Sequence, residues 1–150
     1  MTKRNKFDFE IQPADEAAYP DWAYMRAVLW PTATIEDHLS EIRNLVGTDA
    51  WIVWHDNKPI GFAEASIRPY ANGCQSRPVA FLEGIWVAPL FRQAGVAKGL
   101  VTTVEEWAKA RGIFELGSDA ELSNSLSHTC HKQWGFEETE RVVYFRKALK

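Results

Sequence analysis

Cysteine is scarce in this sequence: Cys74 and Cys130 are its only two. That is too few for a disulfide framework, and a reducing cytoplasm is the expected setting. No apolar run approaches the length of a membrane span. The opening MTKRNKFDFE has basic residues with no apolar run behind them, so a secretory signal is not expected there. Repeats, low-complexity tracts and linkers are also missing. One domain over residues 1–150 is therefore expected. An excess of positive charge is lacking too: 17 Lys and Arg stand against 20 Asp and Glu, a formal charge of −3. Neither nucleic acid nor a membrane surface is an expected partner, and mild acidity suits a cationic substrate.

Hydrophobic residues make up 46% and charged residues 25%, ordinary for a globular domain with a full core. Seven Trp are more than such a domain usually carries. A core accounts for most of them, and a flat binding surface would use one or two.

Periodicity divides the chain into strands and helices. FDFEIQ (7–12) alternates as a strand. Asp21 can cap a helix that Pro31 closes. TIEDHLSEIRNLVG (34–47) is a second helix, capped by Thr34 and stopped by Gly47. Residues 50–68 are two strands around Asp56-Asn57-Lys58, and PYANGCQSRP (69–78) is a long loop. VAFLEGIWV (79–87) is an apolar strand, and a helix follows from Val96 to Arg111. IFELGSD (113–119) is a strand, NSLSHTCHKQW (124–134) a helix, and ETERVVYFRKAL (138–149) a last strand. Such an order implies an α/β domain around one mixed sheet.

Within residues 81–100, FLEGIWVAPLFRQAGVAKGL, a strand passes into a helix through a join of little bulk. Gly95, Ala94 and Ala97 would let backbone approach a ligand closely, and the free N–H groups of the helix start would cradle a pyrophosphate. A tight strand–helix connection is the plainer reading of the same residues. The join has neither the Gly-Lys-Ser/Thr of a P-loop nor the three spaced glycines of a dinucleotide fold.

Arg92-Gln93-Ala94-Gly95-Val96-Ala97 resembles the Arg/Gln-x-x-Gly-x-Gly/Ala signature of the GNAT superfamily of acetyl-CoA-dependent N-acetyltransferases. Asn124, His131 seven residues on, and then Gly135-Phe136 resemble a second superfamily feature. The segments LWP (29–31), EASIR–Y–NG (64–73), PVAFLEGI (78–85), FRQAGVA (91–97) and GFEETERVVYF (135–145) are similar to the short, chromosomal-type aminoglycoside 6'-N-acetyltransferases. GSD (117–119) departs from that group's usual Ala-Ser-Asp.

The resemblance implies a GNAT fold: a mixed, mostly antiparallel central sheet with a splayed strand pair, flanked by helices. It implies acetyl-CoA as co-substrate and no metal. Ile85, Trp86 and Val87 would hold pantetheine and thioester by their main chain. Arg92, Gln93, Ala94, Gly95, Val96, Ala97 and Lys98 would hold the pyrophosphate, and Asn124 the thiol arm. Trp30, Tyr70, Glu83, Asp119 and Glu140 match the group's substrate contacts. The expected reaction is direct attack of a 6'-amine on the thioester, with Glu83 as base, Asp119 as helper and His131 in the place where many relatives use Tyr. The short stretch after Phe136 suggests a last strand shared with a second protomer, hence a homodimer.

Each of these residues also has a plainer reading. A Glu inside an apolar strand is costly if buried alone, so Glu83 either faces a cleft or pairs with an Arg. Asp119 can cap a following helix, Glu140 can be a solvated strand residue, and Trp30 and Tyr70 can simply pack. His131 can be solvated. Cys130 falls with Leu126 and Trp134 on an apolar helix face and is expected in the core, which leaves His128, Cys130 and His131 a poor metal set. Acetylation of a polyamine or another small amine, and an inactive acyl-CoA sensor, are the alternatives to aminoglycoside acetylation.

Overall fold

A computed structural model describes residues 7–150, so the basic MTKRNK start lies outside the described residues. Five strands form one sheet in chain order: β1 (Glu10–Pro13), β2 (Thr48–His55), β3 (Lys58–Arg68), β4 (Val79–Val87) and β5 (Leu116–Gly117). The first four are antiparallel, and β4 pairs with β5 in parallel. Helices α1 (Tyr19–Leu29) and α2 (Ile35–Arg43) connect β1 to β2. Helix α3 (Val96–Lys109) joins β4 to β5, and α4 (Ser125–Gln133) comes after β5. Among the described residues no helix is long and apolar enough to cross a membrane.

The β2–β3 hairpin turns on Asp56 and Asn57, both at positive φ (48° and 62°). That two-residue turn matches the right-handed twist of its strands, and Asp and Asn tolerate the left-handed region. Lys58 already pairs with His55 and belongs to β3. The period of two divides β3 between two layers. Ala63 and Ala65 pack toward α3 with Leu100, Val101 and Val104. Phe62 packs toward α1 and α2 with Trp22, Met25 and Ile42. Glu64, Ser66 and Arg68 continue the Phe62 row, a polar stripe on the α1–α2 side.

Strand β4 is irregular along both of its edges. Opposite β3 the register runs Glu64↔Gly84 and then Ala65↔Leu82, which leaves Glu83 as the extra residue of a β-bulge. A bulge bends its strand and re-aims a side chain. On its other edge β4 meets β5 only at Ala80↔Leu116 and Phe81↔Gly117. Beyond Phe81 that edge has no neighbouring strand among the described residues, and this is the splay.

Four sequence expectations are corrected. Residues 138–149 form no strand, because among the described residues none pairs with them and a ladder needs a partner. The strand expected over 113–119 shrinks to Leu116–Gly117 for the same reason, since β4 diverges. Asp21 is not the cap of α1: a short 3-10 turn runs in ahead of it, Ala18 is the cap, and Asp21 sits in the first turn. Helix α4 buries no residue, and Leu126 is 68% exposed. Cys130, half-buried there, is not a core residue.

Candidate active site

The bulged Glu83 carries three hydrogen bonds. Ser66 Oγ donates to its Oε1 at 2.5 Å, Arg68 Nε donates to the same oxygen at 2.9 Å, and Arg68 Nη2 donates to Oε2 at 2.6 Å. The carboxylate nevertheless borders a cavity of about 440 Å³, together with Trp30, Thr32, Arg26, His38, Glu41 and Glu64. Both readings of Glu83 thus hold at once: it is paired with an arginine, and it faces a cleft. The fork raises the Arg68 pKa, chiefly through its hydrogen bond to Glu83, with Asp119 adding to the effect.

Glu64 lies one pair away across the ladder and is 3% exposed. Trp22 Nε1 donates to its Oε1 at 2.7 Å, and Arg26 Nε approaches the same oxygen at 3.0 Å as an ion pair. Burial pushes the Glu64 carboxyl up, outweighing the lowering effect of Arg26 and of the Trp22 bond. Arg26 Nη2 also donates to Glu41 at 3.0 Å. Its guanidinium lies 5.1 Å from the centre of the Trp30 ring, which fixes that indole at the mouth of the cavity. Glu64, Ser66 and Arg68 lie in the EASIR segment but are not among the expected site residues, although they carry a sequence signal of their own. They are polar positions at period two, in EASIR, within an otherwise apolar strand.

A second, larger cavity of about 890 Å³ brings Asp119, His131 and Glu140 together, with Arg68 on its wall. Arg68 lines this larger space, and its partner Glu83 lines the smaller one. Asp119 caps nothing: the next helix starts at Ser125 and is capped by Asn124, whose Oδ1 accepts from Ser127 N at 3.1 Å. His131 Nδ1 lies 2.7 Å from the Ser127 carbonyl oxygen and therefore donates to it. Its Nε2 is 2.7 Å from Ser118 Oγ. Trp134 and Phe136 flank the ring. Tyr70 is 60% exposed, stacks with Arg77 and lines neither cavity.

The open edge of β4 leads directly into the join. Arg92 Nε donates to the Val87 carbonyl at 2.8 Å, while Ala88 N donates to Ile60 O on β3. Main-chain groups alternate sides along a strand, so the N–H and C=O of Val87 and of Ile85 turn to the splayed edge and those of Trp86 to β3. Past a short 3-10 turn, Gln93 (φ 62°) and Gly95 (φ 85°) take the left-handed conformation. They bring the chain round into α3 with no side-chain cap, whereas α2 has a full capping box from Thr34 and Asp37. Ala94, Val96, Ala97 and Lys98 complete the join, and its first N–H groups point out of the helix start. Those groups and the positive end of the helix suit an anionic ligand.

A strand edge left open by a splay, ending at an uncapped glycine-started helix, agrees with a family model. The description "Acetyltransferase (GNAT) family" matches residues 12–136. The chain belongs to the GNAT acetyltransferase family. A GNAT relative, the aminoglycoside N(6')-acetyltransferase type 1 of Acinetobacter baumannii, is 49% identical over 146 residues, covering 93% of this chain and 98% of the relative. The crystal structure of the aminoglycoside antibiotic 6'-N-acetyltransferase AAC(6')-Ih, also from Acinetobacter baumannii, superposes with a TM-score of 0.89. It is 44% identical and covers 95% of this chain and all (100%) of that one. The structure of AAC(6')-Iy in complex with the bisubstrate analog CoA-S-monomethyl-acetylneamine superposes with a TM-score of 0.87 at 42% identity. It covers 95% of this chain and 99% of that one. The mixed sheet with its splayed pair is the GNAT fold expected from the signature residues.

Proposed function

We propose that this protein transfers the acetyl group of acetyl-CoA to the 6'-amine of an aminoglycoside. The observation that carries the reading is the splay of β4 from β5 after Phe81 and Gly117, which leaves an unpaired main-chain edge beside a cleft of carboxylates. Ile85 and Val87 offer that edge to the pantetheine, the Val87 N–H supports the developing oxyanion, and Trp86 backs the strand. Residues 92–98 hold the pyrophosphate. Asn124 spends Oδ1 on its helix and keeps its amide N–H groups for the thiol arm.

The carboxylates Glu83, Asp119 and Glu140 attract and orient a polycation, with Trp30 as an aromatic contact in the cavity and Tyr70, outside both cavities, as one for a substrate that extends beyond them. An ammonium has no lone pair, so the 6'-amine gives up a proton to Glu83, directly or through water, with Asp119 assisting. The amine nitrogen then attacks the thioester carbon, the tetrahedral intermediate gives up the nitrogen's second proton, the C–S bond breaks, and CoA leaves as its thiolate. That second proton is the one the thiolate takes up, directly or relayed through the Ser118 hydroxyl and His131 Nε2, so the products are the amide and the CoA thiol. No covalent enzyme intermediate is involved.

CoA release with acetyl-CoA and kanamycin, a 6'-hydroxyl analogue and spermidine tests the reading. Turnover only where a 6'-amine exists supports it. Turnover with spermidine alone removes the antibiotic substrate, and no turnover at all removes the enzyme.

The same reading makes the protein a cytoplasmic homodimer. Val143, Tyr144 and Phe145 are exposed, Phe145 to 92%, in a tail with no ladder partner among the described residues. A second copy would give that tail a strand neighbour and cover its apolar side chains. A monomeric mass by light scattering at micromolar concentration would remove the dimer.

A further inference from the structure

We propose that Arg68 and Ser66 are positioning residues that leave Glu83 one free acceptor lone pair, on Oε2, and so set the side from which the attacking amine meets it. The inference rests on the reading of Glu83 as the residue that receives the amine. A carboxylate offers about four lone-pair positions. Three are taken: Oε1 accepts from Ser66 Oγ and Arg68 Nε, and Oε2 accepts from Arg68 Nη2. What Glu83 can still offer the 440 Å³ cavity it borders is the remaining position on Oε2.

The fork is itself held from a second side. The Arg68 guanidinium carbon sits 3.6 Å from the centre of the Phe81 ring, over its face. Phe81 is the last residue of β4 that pairs with β5, so the cation is anchored at the root of the splay. A fixed guanidinium inside a cleft meant for a polycation is otherwise hard to explain, because it repels substrate. Its position gives that repulsion a use. Arg68 lies on the wall of the larger cavity, and a substrate ammonium approaching Glu83 is turned away from the guanidinium, toward the smaller cavity. The other charged groups there are Glu64 from β3, Arg26 from α1 and Glu41 from α2, with the His38 imidazole beside them. Asp119 and Tyr144, which line the larger cavity with Arg68, act on it as well.

The test is a double-mutant cycle on kcat and KM for kanamycin, with acetyl-CoA binding and circular dichroism measured for every variant. Arg68→Gln is expected to lower kcat roughly 100-fold, the cost of a misplaced reacting group. Acetyl-CoA affinity stays unchanged. Arg68→Lys keeps the charge without the fork and recovers part of the loss, and Ser66→Ala costs about fivefold. Above all, Arg68→Gln combined with Glu83→Gln costs no more than Glu83→Gln alone. Losses that multiply overturn the proposal, as does an Arg68→Gln that changes only KM for kanamycin. A fully active Glu83→Gln fells the underlying reading of Glu83 instead, and the inference with it. If Arg68→Gln does not fold, Arg68→Lys and Ser66→Ala carry the same cycle.

Discussion

The indole of Trp30 occupies the space that a side chain on Gly84 would need. A Cβ built on Gly84 falls 2.5 Å from Trp30 Cη2 and 2.7 Å from Cζ2. The end of α1 therefore rests on β4 beside the bulge, and Trp30 is at once packed and part of the cavity wall. Packing and substrate contact are rival readings of this residue in the sequence, and one ring is placed for both.

Gly84→Ala should displace that ring, since an indole is rigid and cannot yield by a rotamer twitch. Overpacking of this kind costs about 1–3 kcal/mol. Thermal denaturation should register the loss, and KM for the aminoglycoside should rise while acetyl-CoA affinity holds. An unchanged KM would separate Trp30 from substrate binding.

Gly95 starts α3 at φ 85°, where an L side chain is strained. Gly95→Ala is expected to cost about 1–2 kcal/mol of local strain. The turn would relieve it by moving the N–H groups behind it. Titration calorimetry should find acetyl-CoA binding weakened by roughly tenfold, the equivalent of ~1.4 kcal/mol. Retained affinity would mean that the helix start does not hold the coenzyme.

Glu64 makes stability depend on pH with a definite sign. Its carboxyl is pushed above the ordinary value of 4.5, mainly by burial. The folded protein then binds that proton more tightly than the unfolded chain does. The resulting stabilisation is complete below 4.5 and is lost as pH rises through the raised folded value. The unfolding free energy of wild type minus that of Glu64→Gln should fall as pH climbs from the acid side. A difference that grows with pH would mean that Arg26 outweighs burial.

Glu115 ties down the long loop after β3. Its carboxylate accepts from Gln75 N at 2.9 and 3.1 Å and from Ser76 N at 2.6 Å, and these bonds hold its pKa below the usual value. The anchor is present above the ordinary carboxylate pKa and fades as pH falls through the lowered one. Glu115→Ala should speed amide hydrogen exchange at Gln75 and Ser76, and acidification should weaken the same anchor in wild type. Exchange unaffected by the substitution would show that the loop holds itself.

Much of this architecture was legible in local pattern. Strand β4 matched its expected bounds of 79–87 because an apolar β-branched run lies between Pro78 and the Ala88-Pro89 stop. Helix α3 could be read from its 3.6-residue period, and the join from the small residues around Gly95. Glu83 stood out as a charge where an apolar strand should have none. These signals are local, since dihedral preference and side-chain period act within a few residues of each other.

What stayed hidden depends on register and on partners. The Glu83 bulge exists only because β3 and β4 pair with one residue out of step. The Arg68 fork reaches a carboxylate 15 residues away in the chain, and Trp22 reaches Glu64 across 42. VVYF, residues 142–145, has every local mark of a strand and forms none, because its backbone finds no ladder among the described residues. Local sequence determined where strands and helices could form and which backbone could come close to a ligand. Which side chains meet in the cleft was decided by tertiary structure alone, since hydrogen bonds and ion pairs act over a few ångströms and only the folded sheet brings distant residues that near.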